Sequence, residues 1–160
     1  MIDSPAVVQL PAQCIAVLRL TTPRTEIRNV MMPARNELFA ALKTQGVVPL
    51  GAWFTHHLRM DPELFDLELG VPVATSIEST GRVRASLRPA MRAARTVYRG
   101  GYEGLGTAWG EFEDWIVASN LRSAPDLWEC YAIGPESSEQ PGDWRTEFTR
   151  PLLDTTVDIS

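Results

Sequence analysis

The 160-residue sequence lacks the features of several protein classes. It has no run of 18 apolar residues, the length that a transmembrane helix needs. No basic segment followed by an apolar one opens the chain, so we expect no signal peptide and a cytoplasmic location. Basic residues are also too few to neutralise phosphates, since 15 Lys and Arg stand against 20 Asp and Glu, a net charge of −5. We therefore expect no direct binding to nucleic acid and none to a membrane.

Residues that form metal and nucleophile sites are scarce as well. The two cysteines, Cys14 and Cys130, lie in predicted strands, and we expect buried thiols there rather than a disulfide or a catalytic group. The two histidines, His56 and His57, are adjacent in a predicted strand and would point to opposite faces, with no nearby Cys, Asp or Glu to complete a metal set. No glycine-rich phosphate loop or local nucleophile motif occurs. We expect neither a metal nor another cofactor.

What the sequence contains is typical of one globular domain, predicted over residues 1–160, with 44% apolar and 22% charged residues. The apolar periodicity predicts the order strand–helix–strand–strand twice, in pseudo-repeat halves of about 12–75 and 88–153. The first half has strands at 14–20, 50–58 and 65–71 and a helix at 33–45; the second has strands at 90–99, 126–133 and 144–152 and a helix at 105–116. Residues before 14 are expected to be a mobile start, 25–32 a loop with at most a turn of helix, and 75–81 a linker.

Two such units side by side predict an α+β fold. They would form one mostly antiparallel, curved sheet with both helices on one face. The seam between the halves is the expected position of a central groove, because ligand sites favour such junctions.

One acid does not fit its predicted strand. In 126–133, side-chain alternation puts Glu129 on a face with Leu127, Tyr131 and Ile133, while Trp128 and Cys130 take the other. A carboxylate on an apolar face is costly unless it is paired, hydrogen-bonded or beside a cavity. Glu129 is therefore the leading site candidate, with a structural pairing to an Arg or a backbone donor as the alternative. Its burial would raise its pKa.

Aromatic residues supply the other candidate ligand-binding positions. Each of them could equally be part of the core, and alternation does not decide which of the adjacent Trp53 and Phe54 faces the site side of its strand. These candidates are Tyr131, Trp53, Phe54, Tyr98, Tyr102, Trp109 and Phe112.

Several short stretches carry a family resemblance when taken together. They are Gly46 with residues 50–54; residues 66–73; residues 97–102 with the following Leu105 and Trp109; residues 128–131; and residues 144–147 with residues 151–152. In this order they resemble the gyrase-inhibitor-like (GyrI-like) small-molecule-binding domains, which also form the effector-binding half of AraC-type and MerR-type transcription regulators. The resemblance covers the chain from about Cys14 to Leu152.

The resemblance implies a duplicated fold whose aromatic-lined central groove receives Glu129. Two departures stand out: the sequence has no helix-turn-helix segment, so we expect a stand-alone member, and Tyr98 stands where relatives often have a His.

Three functions follow from the resemblance. The first is binding of a hydrophobic, often cationic or electrophilic small molecule around Glu129, as in multidrug-binding regulators. The second is hydrolysis of cyclopropane-bearing toxic natural products, with Glu129 as catalytic general base and Tyr98 or Tyr102 polarising the substrate. The third is a gyrase-inhibitor-type protein partner, which the acidic charge supports only mildly.

Overall fold

The computed structural model describes residues 2–153, which divide into two compact units. The central unit is Pro11–Ala90, and the terminal unit combines the residues up to Leu10 with those from Met91 onward. In chain order the strands and long helices are β1 (Ala6–Leu10), β2 (Gln13–Pro23), α1 (Ile27–Thr44), β3 (Phe54–Met60), β4 (Leu64–Pro72), β5 (Val83–Arg88), β6 (Met91–Arg99), α2 (Leu105–Ala118), β7 (Leu127–Ile133) and β8 (Arg145–Pro151).

The central unit is an antiparallel sheet with the strand order β3-β4-β2-β5, and α1 lies on one face of it. The buried residues of α1 recur at helical spacing as Ala34, Leu38, Ala41 and Leu42. They pack on the alternating apolar residues of β2 and β4, such as Leu18 and Leu69, both fully buried.

The terminal unit is built in the same way, with the strand order β1-β6-β8-β7 and α2 on one face. Ala108, Phe112 and Ile116 are the buried residues of α2. They share a core with Ala94 of β6 and Phe148 of β8. The α+β class and the twice-repeated order strand–helix–strand–strand are therefore confirmed.

Each unit also contains an edge strand that the sequence did not predict. β1 lies in the expected mobile start and pairs with β6, and β5 follows the expected linker and pairs with β2. Both are edge strands with few buried side chains, and Val83 is the buried residue of β5. Backbone pairing rather than an apolar pattern holds them, so the sequence pattern was uninformative.

The predicted start of α1 was wrong by six residues. The sequence pattern favoured Pro33 as a first-turn residue, whereas α1 begins at Ile27 and contains Pro33. Ile27 and Val30 pack on the core, and this contact outweighs the backbone hydrogen bond that proline cannot donate. The predicted helix end is confirmed, since Gly46 follows with a φ of +70°.

No helix within residues 2–153 is both long and apolar enough to cross a bilayer.

Candidate functional site

Glu129 is the third residue of β7 and lies directly opposite Phe148 of β8. Residues paired across strands share a sheet face, so Glu129 lies on the face that Phe148 presents to α2. Glu129 is only 9% exposed. A carboxylate is thus held under a helix, within an aromatic core.

Two neutral donors satisfy the carboxylate. The indole Nε1–H of Trp109, on α2, donates to Oε2 at 2.6 Å, and the hydroxyl of Tyr131 donates to Oε1 at 2.8 Å. Tyr131 is two residues along β7, so alternation gives it the same face as Glu129, as predicted. In the part of the chain that the structure describes, no Arg, Lys or His forms an ion pair with Glu129. The carboxylate is hydrogen-bonded but not charge-compensated.

Burial dominates the electrostatics of this group. Desolvation raises the pKa of Glu129 above its ordinary value, and the hydrogen bonds from Trp109 and Tyr131 lower it by less. The ionised form is therefore the costly one. A cation arriving beside it, or a proton, would relieve that cost.

Stacked aromatic rings surround the acid. The ring of Trp109 lies parallel to that of Phe148, with centroids 4.2 Å apart and an interplanar angle of 8°. The ring of Tyr102 lies edge-on to that of Tyr131, with centroids 5.9 Å apart. It is tilted against the ring of Trp144, with centroids 4.9 Å apart. Trp109, Tyr102 and Trp144 are half-buried, whereas Tyr131 and Phe148 are buried. The acid thus lies among buried and half-buried aromatic side chains.

Tyr98 has a different environment from the other tyrosines. Its hydroxyl donates to the carbonyl oxygen of Gly101 at 2.7 Å, and its ring stacks on Phe148 at 6.0 Å. It is 6% exposed. The hydrogen bond from Tyr98 to Gly101 anchors the turn between β6 and α2, and α2 carries Trp109.

The remaining predicted residues divide between the units. Phe112 is fully buried in the core of the terminal unit and contacts Trp109 at 5.6 Å. Trp53 and Phe54 belong to the central unit. Trp53 packs on the core under α1, and the guanidinium of Arg35 lies 5.3 Å from its ring; Phe54 is 7% exposed.

Phe148 and Trp144 were missing from the predicted site. Both lie in or beside the last strand, where apolar residues alternate with Arg145 and Glu147. That alternation indicates a core face but does not reveal that Phe148 lies opposite Glu129. The strand register supplies this information, and the sequence pattern does not.

Metal-binding clusters and thiols are the other groups that could carry chemistry. Within residues 2–153 there is no group of three His, Cys, Asp or Glu placed to hold a metal ion. Both cysteines are half-buried rather than fully buried. Desolvation raises the pKa of Cys130 to about 12, so its thiol stays protonated at neutral pH and is a poor nucleophile.

The chain belongs to the family of GyrI-like small molecule binding domains, whose sequence profile matches residues 3–152. A comparison with curated proteins found no match.

Solved structures share the fold at low sequence identity. The C-terminal domain of EcmrR superposes with a TM-score of 0.81 at 18% identity, covering 95% of this chain and 98% of that domain. In the EcmrR–DNA complex the TM-score is 0.82 at 17% identity, and the match covers 95% of this chain and 58% of EcmrR. This chain thus spans little more than half the length of that protein.

Two further structures carry chemical information about themselves. SAV2435, solved bound to tetraphenylphosphonium, has a TM-score of 0.71 at 11% identity, covering 98% of each chain. A hydrolase encoded by lin2189 from Listeria innocua has a TM-score of 0.69 at 11% identity, covering 93% of this chain and 91% of that one. At such identities the likeness shows the fold alone.

Proposed function

We propose that the chain binds a hydrophobic cation, with Glu129 as the counter-charge and the surrounding aromatic rings as the apolar surface. The observation that carries the proposal is a buried carboxylate held by two neutral donors and by no cation of residues 2–153. A buried charge without an opposite charge costs stability. A ligand that supplies the positive charge recovers that cost on binding.

The rings around Glu129 suit the same ligand class. Trp109, Tyr102 and Trp144 are half-buried, and aromatic faces attract cations by about 0.5–2 kcal/mol each. A delocalised organic cation fits both features better than an inorganic ion, because its body buries apolar area while its charge meets the acid. That SAV2435 was solved with tetraphenylphosphonium agrees with this ligand class.

Calorimetric titration with tetraphenylphosphonium tests the proposal. We expect binding to the wild type and about tenfold to hundredfold weaker binding to Glu129→Gln, a loss of roughly 1.4–2.8 kcal/mol. Triphenylphosphine oxide, a neutral aryl compound, should bind both proteins alike. Equal affinity of the cation for both proteins would remove Glu129 from the function.

A matched control comes from the same sheet. Glu147 lies opposite Cys130, the residue after Glu129, and its carboxylate pairs with Arg95 at 2.8 Å. Because that charge is already compensated, Glu147→Gln should leave the affinity for tetraphenylphosphonium unchanged. A loss equal to that of Glu129→Gln would attribute the effect to net charge instead.

The affinity should also depend on pH. Burial raises the pKa of Glu129, so lowering the pH through that raised pKa protonates the acid and removes the counter-charge. Cation binding should weaken in this window in the wild type and stay flat in Glu129→Gln. A flat wild-type profile between pH 8 and pH 5 would argue against an ionised Glu129 in the complex.

A second candidate function is hydrolysis, which the raised pKa of Glu129 favours because a general base works best near the ambient pH. Glu129 would take a proton from water, the water oxygen would bond to a cyclopropane carbon, and the ring C–C bond would break. Its electron pair would go to the other ring carbon, which would then take the proton from Glu129. Tyr102 suits the polarising role better than Tyr98, whose hydroxyl donates to Gly101.

Product analysis by mass spectrometry separates the two functions. A hydrolase adds one water to a cyclopropane-bearing electrophile, and Glu129→Gln should lower that rate at least a hundredfold. Tetraphenylphosphonium binding without any such turnover would leave binding as the function.

A further inference from the structure

The central unit contains an arginine that forms no ion pair with any acid of residues 2–153. Arg35 on α1 is half-buried, and its Nε is enclosed without a hydrogen-bond partner. The guanidinium carbon lies 4.7 Å from the ring centre of Phe39 and 5.3 Å from that of Trp53. No carboxylate within residues 2–153 forms an ion pair with Arg35.

Arg35 differs from exposed arginines such as Arg28 because its Nε is enclosed and its guanidinium lies over two aromatic rings. Arginines in both units find acidic partners: Arg19, Arg59, Arg82, Arg95, Arg99 and Arg150. An enclosed polar atom left without a partner lowers stability. An anion that meets the accessible part of the half-buried guanidinium would compensate its charge.

An apolar cavity adjoins the same residues. Phe39, which contacts Arg35, also lines a surface cavity of about 380 Å³. The cavity walls include Leu42, Lys43, Val47, Val48 and Pro49, from the end of α1 and the loop after it. Its size is that of a small-ligand pocket.

The positive charges follow one face of α1. Arg35, Phe39 and Lys43 are spaced four residues apart, so they lie along one side of the helix. Lys43 is exposed and, like Arg35, has no ion-pair partner in the described range. Lys43 therefore lines the apolar cavity, Arg35 adjoins it through Phe39, and no acid of residues 2–153 is among the residues that line it.

The duplication gives this position a counterpart. Aligning the helices by their buried residues matches Ala34 and Leu38 of α1 with Ala108 and Phe112 of α2. Arg35 then corresponds to Trp109, the α2 residue that donates to Glu129. The helix position whose side chain touches the acid in the terminal unit is thus occupied in the central unit by a cation without an ion pair.

We infer that the central unit binds a hydrophobic carboxylate, whose anionic end pairs with Arg35 and whose apolar body lies on Phe39 and in the adjoining cavity. A guanidinium recognises a carboxylate through two parallel N–H donors, and its flat face stays stacked on the rings. The ligand has the opposite charge to the one proposed for the Glu129 site and uses other residues, so this inference does not depend on that function.

The probe is 2-naphthoate, with 2-naphthamide as its uncharged counterpart. We expect saturable 2-naphthoate binding by calorimetry and a shift of the Arg35 Nε–H signal in ¹⁵N NMR spectra. 2-Naphthamide should bind at least tenfold more weakly. Equal binding of the two compounds, or no saturation by 2-naphthoate, would overturn the inference.

Variants on α1 assign the site. Arg35→Gln should weaken 2-naphthoate binding at least tenfold, and Arg35→Lys should retain part of it. Arg28→Gln removes the same charge from an exposed position of the helix and should leave binding unchanged. Thermal unfolding of each variant verifies folding. If Arg35 only covers the rings, Arg35→Gln will shift the melting temperature and keep the wild-type affinity, and the inference is then wrong.

The two sites are separable. Glu129→Gln should leave 2-naphthoate binding intact, and Arg35→Gln should leave tetraphenylphosphonium binding intact. Loss of 2-naphthoate binding in Glu129→Gln would show that the anion does not bind at Arg35.

Discussion

At Glu129, burial and hydrogen bonding act on one carboxylate in opposite directions. Desolvation favours the protonated acid, while the indole of Trp109 and the hydroxyl of Tyr131 favour the carboxylate. Desolvation is the larger effect, so the ionised side chain lowers the stability of the fold. A residue kept at such a cost is more easily explained by binding than by structure.

Replacing Glu129 with Gln should therefore stabilise the protein at pH 8. Because the folded-state pKa is raised, the folded protein holds a proton that the unfolded chain has lost, and the stability of the wild type falls as pH rises through that window. Glu129→Gln has no carboxyl group to titrate at this position. Its gain in stability over the wild type should therefore shrink as the pH is lowered toward about 4.5. Melting temperatures measured across this range test it, with each 1 kcal/mol worth roughly 2–4 °C. A variant less stable than the wild type at pH 8 would contradict the prediction.

Trp109→Phe should destabilise the protein, because it removes a hydrogen bond from the same carboxylate. The ring can still stack on Phe148, but the 2.6 Å hydrogen bond to Glu129 is lost. We expect a loss of about 1.5–3 kcal/mol in urea unfolding at pH 8, the usual value of a hydrogen bond to a charged group. The loss should diminish as Glu129 becomes protonated. Trp115→Phe, on the same helix, is the control and should cost the same at both ends of the pH range.

At the scale of elements, glycines of β4 and α2 have opposite packing environments. A Cβ at Gly70 of β4 would lie 2.6 Å from the ring of Phe54 and 2.8 Å from the carbonyl oxygen of Ala16. A Cβ at Gly106 or Gly110 of α2 would meet nothing within 4 Å. Glycine is needed for close approach in the strand and costs stability in the helix.

Alanine substitutions should therefore change stability in opposite directions. Gly70→Ala should destabilise the protein by about 1–3 kcal/mol, because the ring and backbone around it must move. Gly110→Ala should stabilise it by roughly 0.5–1 kcal/mol through helix propensity. Urea unfolding of both variants tests the pair. A stabilised Gly70→Ala would mean that Phe54 adjusts freely.

The elements show where sequence patterns are informative. Apolar periodicity predicted α2 and the paired inner strands because their buried faces repeat at fixed spacing. It did not predict the edge strands β1 and β5, which are held by backbone hydrogen bonds. It also misplaced the start of α1, because Pro33 has a local preference that the packing of Ile27 overrides.

At the scale of the whole molecule, the candidate site was partly predictable. Alternation alone put Glu129 and Tyr131 on one face, and the helix stripe identified Trp109 as an inward residue. The stripe did not reveal that the indole N–H meets the carboxylate, because the register between a helix and a sheet depends on contacts distant in sequence. The isolation of Arg35 was equally unpredictable, since a missing partner becomes visible only once the acids of residues 2–153 have positions.

The discontinuity of the terminal unit has a consequence for biosynthesis. β1 is translated before the central unit, yet its partner β6 follows some 80 residues later, after the whole contiguous central unit. Pairing β1 with β6 closes a longer loop than pairing β2 with β4, so we expect the central unit to become protected before the terminal unit in refolding as well as in synthesis. In refolding with pulsed hydrogen exchange, the amides of β2 and β4 should gain protection before those of β1 and β6. Simultaneous protection of all four strands would instead mean that the two units fold as one cooperative body.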